Sequence, residues 1–288
     1  MAAPVLLIDT NSLFFRAFHA LPPMNTREGI PTSAVYGFSV LLLKLLREEA
    51  PLGIAFARDA PARTFRHIEY QGYKAQRPSV PTPLGEQFVW LDRLLGALAL
   101  PSYAVPGFEA DDVLATLARE IHTEDRPVRI VTGDRDLFQT IRPGVDVLFI
   151  GARQQKPVVY DVAAVEARFG VKPERMPSLM ALVGDTSDNL PGVPGIGPRT
   201  AAKLLGASGD VRSVLADLDA IKSATVREAL RNAAEQVIRN ERLARLRDEV
   251  PLPDGPRYGA PTAAAFEQVR ALFVELEFNS LLARLPKP

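Results

Sequence analysis

Cysteine is absent from these 288 residues. Disulfides, thiolate nucleophiles and cysteine-held zinc or iron–sulfur centres are therefore excluded. Histidine is scarce: His19, His67 and His122 are scattered, so no histidine-rich metal site can be built. No apolar run approaches the length of a membrane span. No basic leader precedes VLLID, so neither a signal peptide nor a membrane partner is expected, and a cytoplasmic location fits. Net charge is absent too, because 34 Lys and Arg offset 34 Asp and Glu. A sum of zero still allows an acidic site on one side and basic grooves on another. The apolar fraction of 47% is that of an ordinary soluble chain, long enough for one large domain or two modest ones.

What is present is a set of acids after apolar runs. Val5–Ile8, Leu52–Ala57, Val128–Val131 and Val145–Ile150 read as buried strands. Helical spacing predicts helices between them. One follows Ser33 as cap, with Val35, Phe38, Leu42, Leu45 and Leu46 on one face. Leu84–Leu98 and Ala110–Ile121 repeat the pattern. The alternation predicts an α/β fold, a mainly parallel central sheet flanked by helices. In such sheets ligands gather at the carboxyl ends of the strands. Asp9, Asp59 and Asp134 each follow a predicted strand and should converge there.

Nine acids in five clusters share this placement: Asp9, Asp59, Glu109/Asp111/Asp112, Asp134/Asp136 and Asp185/Asp188. Carboxylates about 4 Å apart repel by roughly 4 kcal/mol at an effective dielectric near 20. Brought together, they either hold protons or hold hard divalent cations such as Mg²⁺ or Mn²⁺. Each cluster also has a plain use. EADD before an apolar helix can be a cap, and GDRD and GDTSDN can be turns. Three acids in the four residues 109–112 exceed what a cap needs.

Two further stretches bear on a substrate. Residues 58–83 mix Arg58, Arg63, Phe65, Arg66, Tyr70, Tyr73, Lys74 and Arg77 with four prolines. That mixture suits stacking on unpaired bases and contact with phosphates, or a solvated loop. Arg16 either meets a phosphate or sits on the surface. GVPGIGPRT, Gly192–Thr200, is a glycine hairpin opening a helix. Its backbone N–H groups and helix dipole suit a phosphate, with Arg199, Thr200 and Lys203 adding contacts. It is neither a P-loop nor a dinucleotide fingerprint, for no GK[ST] follows and no strand precedes. After about residue 175 strand signals stop, and Met176–Val183, Pro198–Leu205 and Thr225–Leu243 read as helices. The expected organisation is a core over 1–175, a helical subdomain over 176–245 and a segment over 246–288 packing back.

At this point AVYGF (34–38), FRH (65–67), YKAQRP (73–78), PGFEADDVLATLA (106–118), TGDRDLFQ (132–139), GDTSDNLPGVPGIGPRTA ending at Ala201, and LEFNSLL (276–282) can be read together. In that order they resemble the 5′-nuclease domain of bacterial DNA polymerase I and its free-standing relatives, the 5′→3′ exonucleases and flap endonucleases. The resemblance implies a PIN-like core, a helical arch near 60–83 and a helix–hairpin–helix subdomain. It implies two divalent ions, one near Asp9, Asp59, Glu109, Asp111 and Asp112, the other near Asp134, Asp136, Asp185 and Asp188. Lys74, aided by Arg77, falls at the family's active-site lysine, and Tyr73 at a base-stacking position. Arg16 and Arg66 join the expected DNA contacts, as do Gly192, Gly195, Ile196, Gly197, Arg199, Thr200 and Lys203. The hairpin often carries K⁺ in the family. Expected partners are DNA with 5′ ends, flaps or branches and RNA primers in RNA–DNA hybrids, bound by a monomer. Arg58 before Asp59, Thr82–Pro83 after the arch and Arg199 in place of Lys depart from the family pattern. A non-catalytic branched-DNA module and a PIN-like ribonuclease are the competing readings.

Overall fold

The computed structural model describes residues 2–151 and 156–286. β1 (Val5–Asp9) is buried from end to end and apolar until its last residue. β2 (Gly53–Ala57), β3 (Ser102–Tyr103), β4 (Val128–Thr132), β5 (Val145–Phe149) and β6 (Val158–Tyr160) join it in one sheet. The order is β3-β2-β1-β4-β5-β6. All neighbours pair in parallel except β5 and β6, so the sheet is mainly parallel as expected. β3 and β6 were not foreseen, being two and three residues long, too short for a periodic signal.

The helices, in chain order, are α1 (Thr10–Ala20), α2 (Ser33–Glu48), α3 (Phe65–Glu69), α4 (Thr82–Gly85), α5 (Phe88–Leu98), α6 (Ala110–Ile121) and α7 (Val162–Phe169). They continue as α8 (Met176–Val183), α9 (Pro198–Ser208), α10 (Val211–Ala216), α11 (Ala224–Asn232), α12 (Ala234–Ala244), α13 (Ala263–Glu275) and α14 (Asn279–Leu282). Alternation along the strands divides the core. Leu6, Ile8, Phe56 and Val131 pack with α1, α2, α5 and α13. Leu7, Ala55, Ile130 and Val147 pack with α6 and the helical subdomain.

Three sequence expectations shift. The N-cap position of α2 is Thr32, not Ser33, and the work of a cap is done by Gln87. Its Oε1 accepts from Ala34 and Val35 N–H at 2.8 and 3.3 Å. The helix expected over Thr225–Leu243 is broken at Ala233 into α11 and α12. The arch expected near 60–83 is only partly helical. It is α3, a run of turns and α4, with Tyr70 and Tyr73 packed on Leu190 and Leu243 of the helical subdomain.

The chain goes from β1 to β2 on one side and later inserts β4 on the other. This makes the β1–β4 boundary a topological switch point, where the strand ends open a crevice.

Candidate active site

Asp9 ends β1 and starts α1, where it accepts from Ser12 N–H at 3.2 Å. Thr132, the last residue of β4, donates its hydroxyl to the other Asp9 oxygen at 2.5 Å. The same hydroxyl oxygen accepts from Asp134 N–H at 2.9 Å. Thr132 thus fixes the geometry between the first and fourth strands. Sequence reasoning missed it, although a polar residue ending the apolar run VRIVT was the available signal. Asp134 then accepts from Asp136 N–H at 3.0 Å, which makes GDRD a turn as well as an acid pair.

Asp59, after β2, is exposed and accepts from Ala110 N–H at 2.9 Å, capping α6. Asp111 lies in the first turn of α6. Asp9, Asp59, Glu109, Asp111 and Asp134 line a single cavity of about 820 Å³, together with Arg16, Lys74 and Arg77. Four separate chain segments therefore deliver carboxylates to one crevice. Asp185 and Asp188 sit beside it in the loop after α8. Asp185 accepts from the N–H and hydroxyl of Ser187, at 2.7 and 2.6 Å, so it holds that turn.

The charges divide sharply. Burial, followed by the neighbouring Asp134 and Asp59 charges, raises the Asp9 carboxyl to about 7. Asp111 is pushed well up by burial and by Asp134, Asp9 and Asp136. Asp136 is pushed well up by burial and by Asp134, Asp188 and Asp185. Glu109 goes the other way. Burial would raise it, but the Lys74 and Arg66 cations outweigh that. Lys74 Nζ lies 2.8 Å from Glu109 and 3.9 Å from Asp188. Burial would make Lys74 lose its proton, yet those two carboxylates hold it charged and raise its pKa. Its backbone is left-handed, φ 53°, an uncommon conformation outside glycine. Its N–H donates to Asp188 O at 3.1 Å, which fixes that turn. Arg77 donates to Asp188 Oδ1 at 3.0 Å.

Five expected site residues have other work here. Arg66 is 1% exposed and cannot meet DNA. Its guanidinium donates to both oxygens of Asp112, at 2.7 and 2.8 Å, and to Glu109 at 3.2 Å. It also donates to Leu243 O at 2.7 Å and Arg245 O at 3.3 Å, the end of α12. Asp112 is accordingly no metal ligand: it is wholly buried, both oxygens face Arg66, and it also accepts from Glu109 and Arg247 N–H. Tyr73 is buried as well and cannot stack on a base. Its hydroxyl, with one hydrogen for two acceptors, lies 3.0 Å from Glu109 and 2.7 Å from Asp188. Gly192 is a packing glycine, for a Cβ there would come within 2.1 Å of Val183 O. Ile196 is core, with its N–H donated to Val193 O at 3.0 Å.

The rest of the hairpin stays open. Gly195 turns the chain at φ 79°, and Gly197 is the N-cap of α9, each with free space where a Cβ would stand. Pro198 opens the helix, whose first-turn N–H groups have no intrahelical acceptor. Arg199 and Lys203 are exposed four residues apart on one face, with Thr200 half-buried beside them. Asn240 and Gln236 of α12 hold Pro191 O at 2.8 Å each. Of the departures from the family pattern, Arg58 is explained by an ion pair with Asp92 of α5 at 2.5 Å.

The fold is an α/β sheet whose strand-end crevice gathers five carboxylates and three cations. A family model described as the N-terminal resolvase-like domain of 5′-3′ exonuclease matches residues 4–170. A second, described as the 5′-3′ exonuclease C-terminal SAM fold, matches residues 171–262. The chain belongs to the 5′-3′ exonuclease family and is a nuclease. DNA polymerase I of Bacillus caldotenax is 41% identical over 290 residues, covering 100% of this chain and 33% of that protein. DNA polymerase I of Mycobacterium tuberculosis strain H37Rv is 42% identical over 283 residues, covering 98% and 31%. The chain spans about a third of the length of these curated relatives. The structure of T5 D15 protein co-crystallised with metal ions superposes with a TM-score of 0.72 at 19% identity, covering 98% of this chain and 99% of that one. The catalytic core of Rad2 with DNA substrate gives 0.64 at 18% identity, covering 96% and 88%. At those identities the likeness is one of fold.

Proposed function

We propose that this chain hydrolyses phosphodiester bonds in DNA at 5′ ends and flaps, with divalent cations, releasing 5′-phosphorylated products. The observation that carries the reading is the convergence of Asp9, Asp59, Glu109, Asp111 and Asp134 on one cavity that also holds Arg16, Lys74 and Arg77. The donors fit Mg²⁺ or Mn²⁺, being hard oxygens without histidine or cysteine. Burial and neighbouring carboxylates raise Asp9, Asp111 and Asp136, a cost that a bound divalent cation would offset. Among the described residues no three acids close on one ion as they stand, so loading requires side-chain turns. Asp9, Asp59, Glu109 and Asp111 would serve one position, and Asp134, Asp136, Asp185 and Asp188 the other. Bound there, two cations supply a lowered pKa for water and stabilise the leaving oxygen. T5 5′-exonuclease with divalent zinc, and a T5 flap endonuclease complex with DNA and metal ions, share this fold.

The chain's own residues do the rest. The open hairpin at Gly195 and Gly197, with Arg199, Thr200 and Lys203, binds duplex phosphates without reading sequence. Arg16 donates Nη2 to Gly133 O at 3.0 Å, while its Nε is buried without a partner among the described residues. In this reading Arg16 turns to take a phosphate oxygen in the crevice. Lys74 and Arg77 face developing negative charge on the phosphate, which a fixed cation in a secluded site stabilises strongly. To do so they must exchange Glu109 and Asp188 for substrate. K⁺ at the hairpin and RNA primers paired to DNA belong to the same reading.

The test is cleavage of labelled 5′-flap DNA, matched RNA and a small phosphomonoester, each with Mg²⁺ and with EDTA. Metal-dependent cutting of the flap alone, with a 5′-phosphate on the product, supports the reading. Binding without cutting would point to a branched-DNA module instead, and preference for RNA to a ribonuclease.

A further inference from the structure

Lys74 and Asn189 both have left-handed backbones, at φ 53° and 57°. Few residues other than glycine take that conformation, and asparagine takes it more readily than lysine. Such backbone persists where its surroundings hold it, and it gathers at functional sites. Here each residue's segment holds the other's. Lys74 N–H donates to Asp188 O at 3.1 Å, and Asn189 Nδ2 donates to Gly72 O at 2.7 Å. Asn189 is itself held by its neighbour Leu190, which packs with Tyr73 and exchanges both backbone bonds with Asp185, at 2.7 and 2.8 Å. The bonds from the Tyr73, Lys74 and Arg77 side chains end mainly on Asp188 and Glu109. Those are the carboxylates that the proposed function hands over to metal. The bond from Asn189 to Gly72 uses neither a carboxylate nor a cation, so that exchange leaves it in place.

We propose that Asn189 is a positioning residue for Lys74, fixing the backbone from which the ammonium reaches the phosphate. This rests on the reading of Lys74 as a cation that meets the phosphate. Lysine carries its charge on a flexible four-carbon stem. Once Nζ leaves Glu109 and Asp188, its backbone is what still holds it at the crevice. A cation already in place stabilises developing charge without reorganisation at the moment of reaction. Asparagine suits the post on two counts. It tolerates the left-handed backbone, and its amide donates to a carbonyl without a charge that would compete for metal or phosphate. Aspartate there would keep the shape and lose the donor.

The test measures single-turnover rates on 5′-flap DNA in Mg²⁺ with enzyme in excess, so that only folded, bound molecules report. Wild type, Asn189→Gly, Asn189→Asp, Lys74→Ala and the double variant Lys74→Ala with Asn189→Gly are compared. Asn189→Gly keeps the left-handed backbone and removes the side-chain bond. A misplacement of about 1 Å can cost about 100-fold, so Asn189→Gly should slow cleavage about 10-fold. Asn189→Asp should act in the same direction, since an ionised carboxylate cannot donate. For Asn189→Gly, flap affinity and the Mg²⁺ concentration giving half the maximal rate should stay within about 2-fold of wild type. In the Lys74→Ala background the glycine change should cost less than about 2-fold, for no ammonium is left to place. In metal-free protein, amide exchange at Lys74 should quicken in Asn189→Gly. Wild-type rates in both Asn189 variants, unchanged exchange at Lys74, or a cost of about 10-fold that persists without Lys74 overturns the proposal and leaves the nuclease intact. A shifted Mg²⁺ requirement in Asn189→Gly overturns it too, assigning Asn189 to Asp188 instead. A wild-type rate in Lys74→Ala overturns the reading of Lys74, and failure of the wild type to cut overturns the nuclease reading itself.

Discussion

Replacing Arg66 by Met tests the correction that matters most to the fold. The Arg66 and Asp112 side chains are 2% and 0% exposed, so solvent hardly screens the pair. Burial works against the guanidinium's charge, but its Asp112 and Glu109 partners overcome this and raise its pKa. Removing one partner of such a buried pair costs about 3–5 kcal/mol, because the other charge is left uncompensated. The carbonyls of Leu243 and Arg245 also lose their donor, at about 1–3 kcal/mol for each that water cannot reach. Against a total stability of about 5–15 kcal/mol, Arg66→Met should approach unfolding. Urea titration, followed by circular dichroism and by the single tryptophan, Trp90, should show a midpoint loss worth at least about 3 kcal/mol. In melting temperature that is roughly 6 °C or more at about 2 °C per kcal/mol. Adding Asp112→Leu to Arg66→Met should recover part of the loss, since an apolar pair no longer buries a lone charge. A loss below about 1 kcal/mol, or weakened DNA binding with stability intact, would refute the strut and return Arg66 to the DNA surface.

Metal-free protein should lose stability as pH rises from about 4 to about 7. Folded Asp9 holds its proton up to about 7 against 3.8 when unfolded, so the folded state binds the extra proton, a difference of up to roughly 4 kcal/mol. Asp111 and Asp136 act with the same sign, and millimolar Mg²⁺ should flatten the decline; melts in EDTA whose stability rises across this window would refute it. Lys74→Ala should cut the single-turnover rate on flap DNA by about 100-fold or more with little change in DNA affinity, and a pure affinity loss would demote Lys74 to positioning. Lys203→Ala should lower the salt dependence of duplex binding by about one phosphate contact, seen as a shallower slope of log K against log salt.

Much of the fold was legible because long apolar runs leave little choice. Val5–Ile8 and Val128–Val131 read as buried strands, and the acids after them were expected to converge at one edge. Thr32, Gln87 and Ala233 show the limit. A cap supplied by a side chain more than fifty residues away leaves no local trace, and neither does a helix break at alanine. The site was legible in its acids and illegible in their partners. Arg66 and Tyr73 looked like substrate contacts because arginine and aromatics crowd residues 58–83, and composition carries no burial. The excess of three acids over a cap's needs was the clue that one of them required a buried cation.

That pairing also bears on how so many acids crowd in and around one crevice. Glu109, Asp112 and Asp188 each touch fixed cations: Arg66, Lys74 and Arg77. Arg66 joins Asp112 and Glu109 to the end of α12, and Lys74 and Arg77 tie the turns after α3 to the loop after α8. These acids therefore hold the helical subdomain against the sheet edge before any substrate arrives. Among the described residues Asp9, Asp111 and Asp136 form no ion pair, and burial, with the neighbouring carboxylates, raises their proton affinity; burial raises Asp188 too, in spite of Lys74 and Arg77. A divalent ion gains most where carboxylates are close and uncompensated, so under the proposed function Asp9, Asp111 and Asp136 would take metal first, and Glu109 and Asp188 would join once their cations turn to substrate. Near the crevice the cations are paired with acids in the structure, and the proposed function requires Lys74 and Arg77 to leave Glu109 and Asp188 when phosphate competes for them.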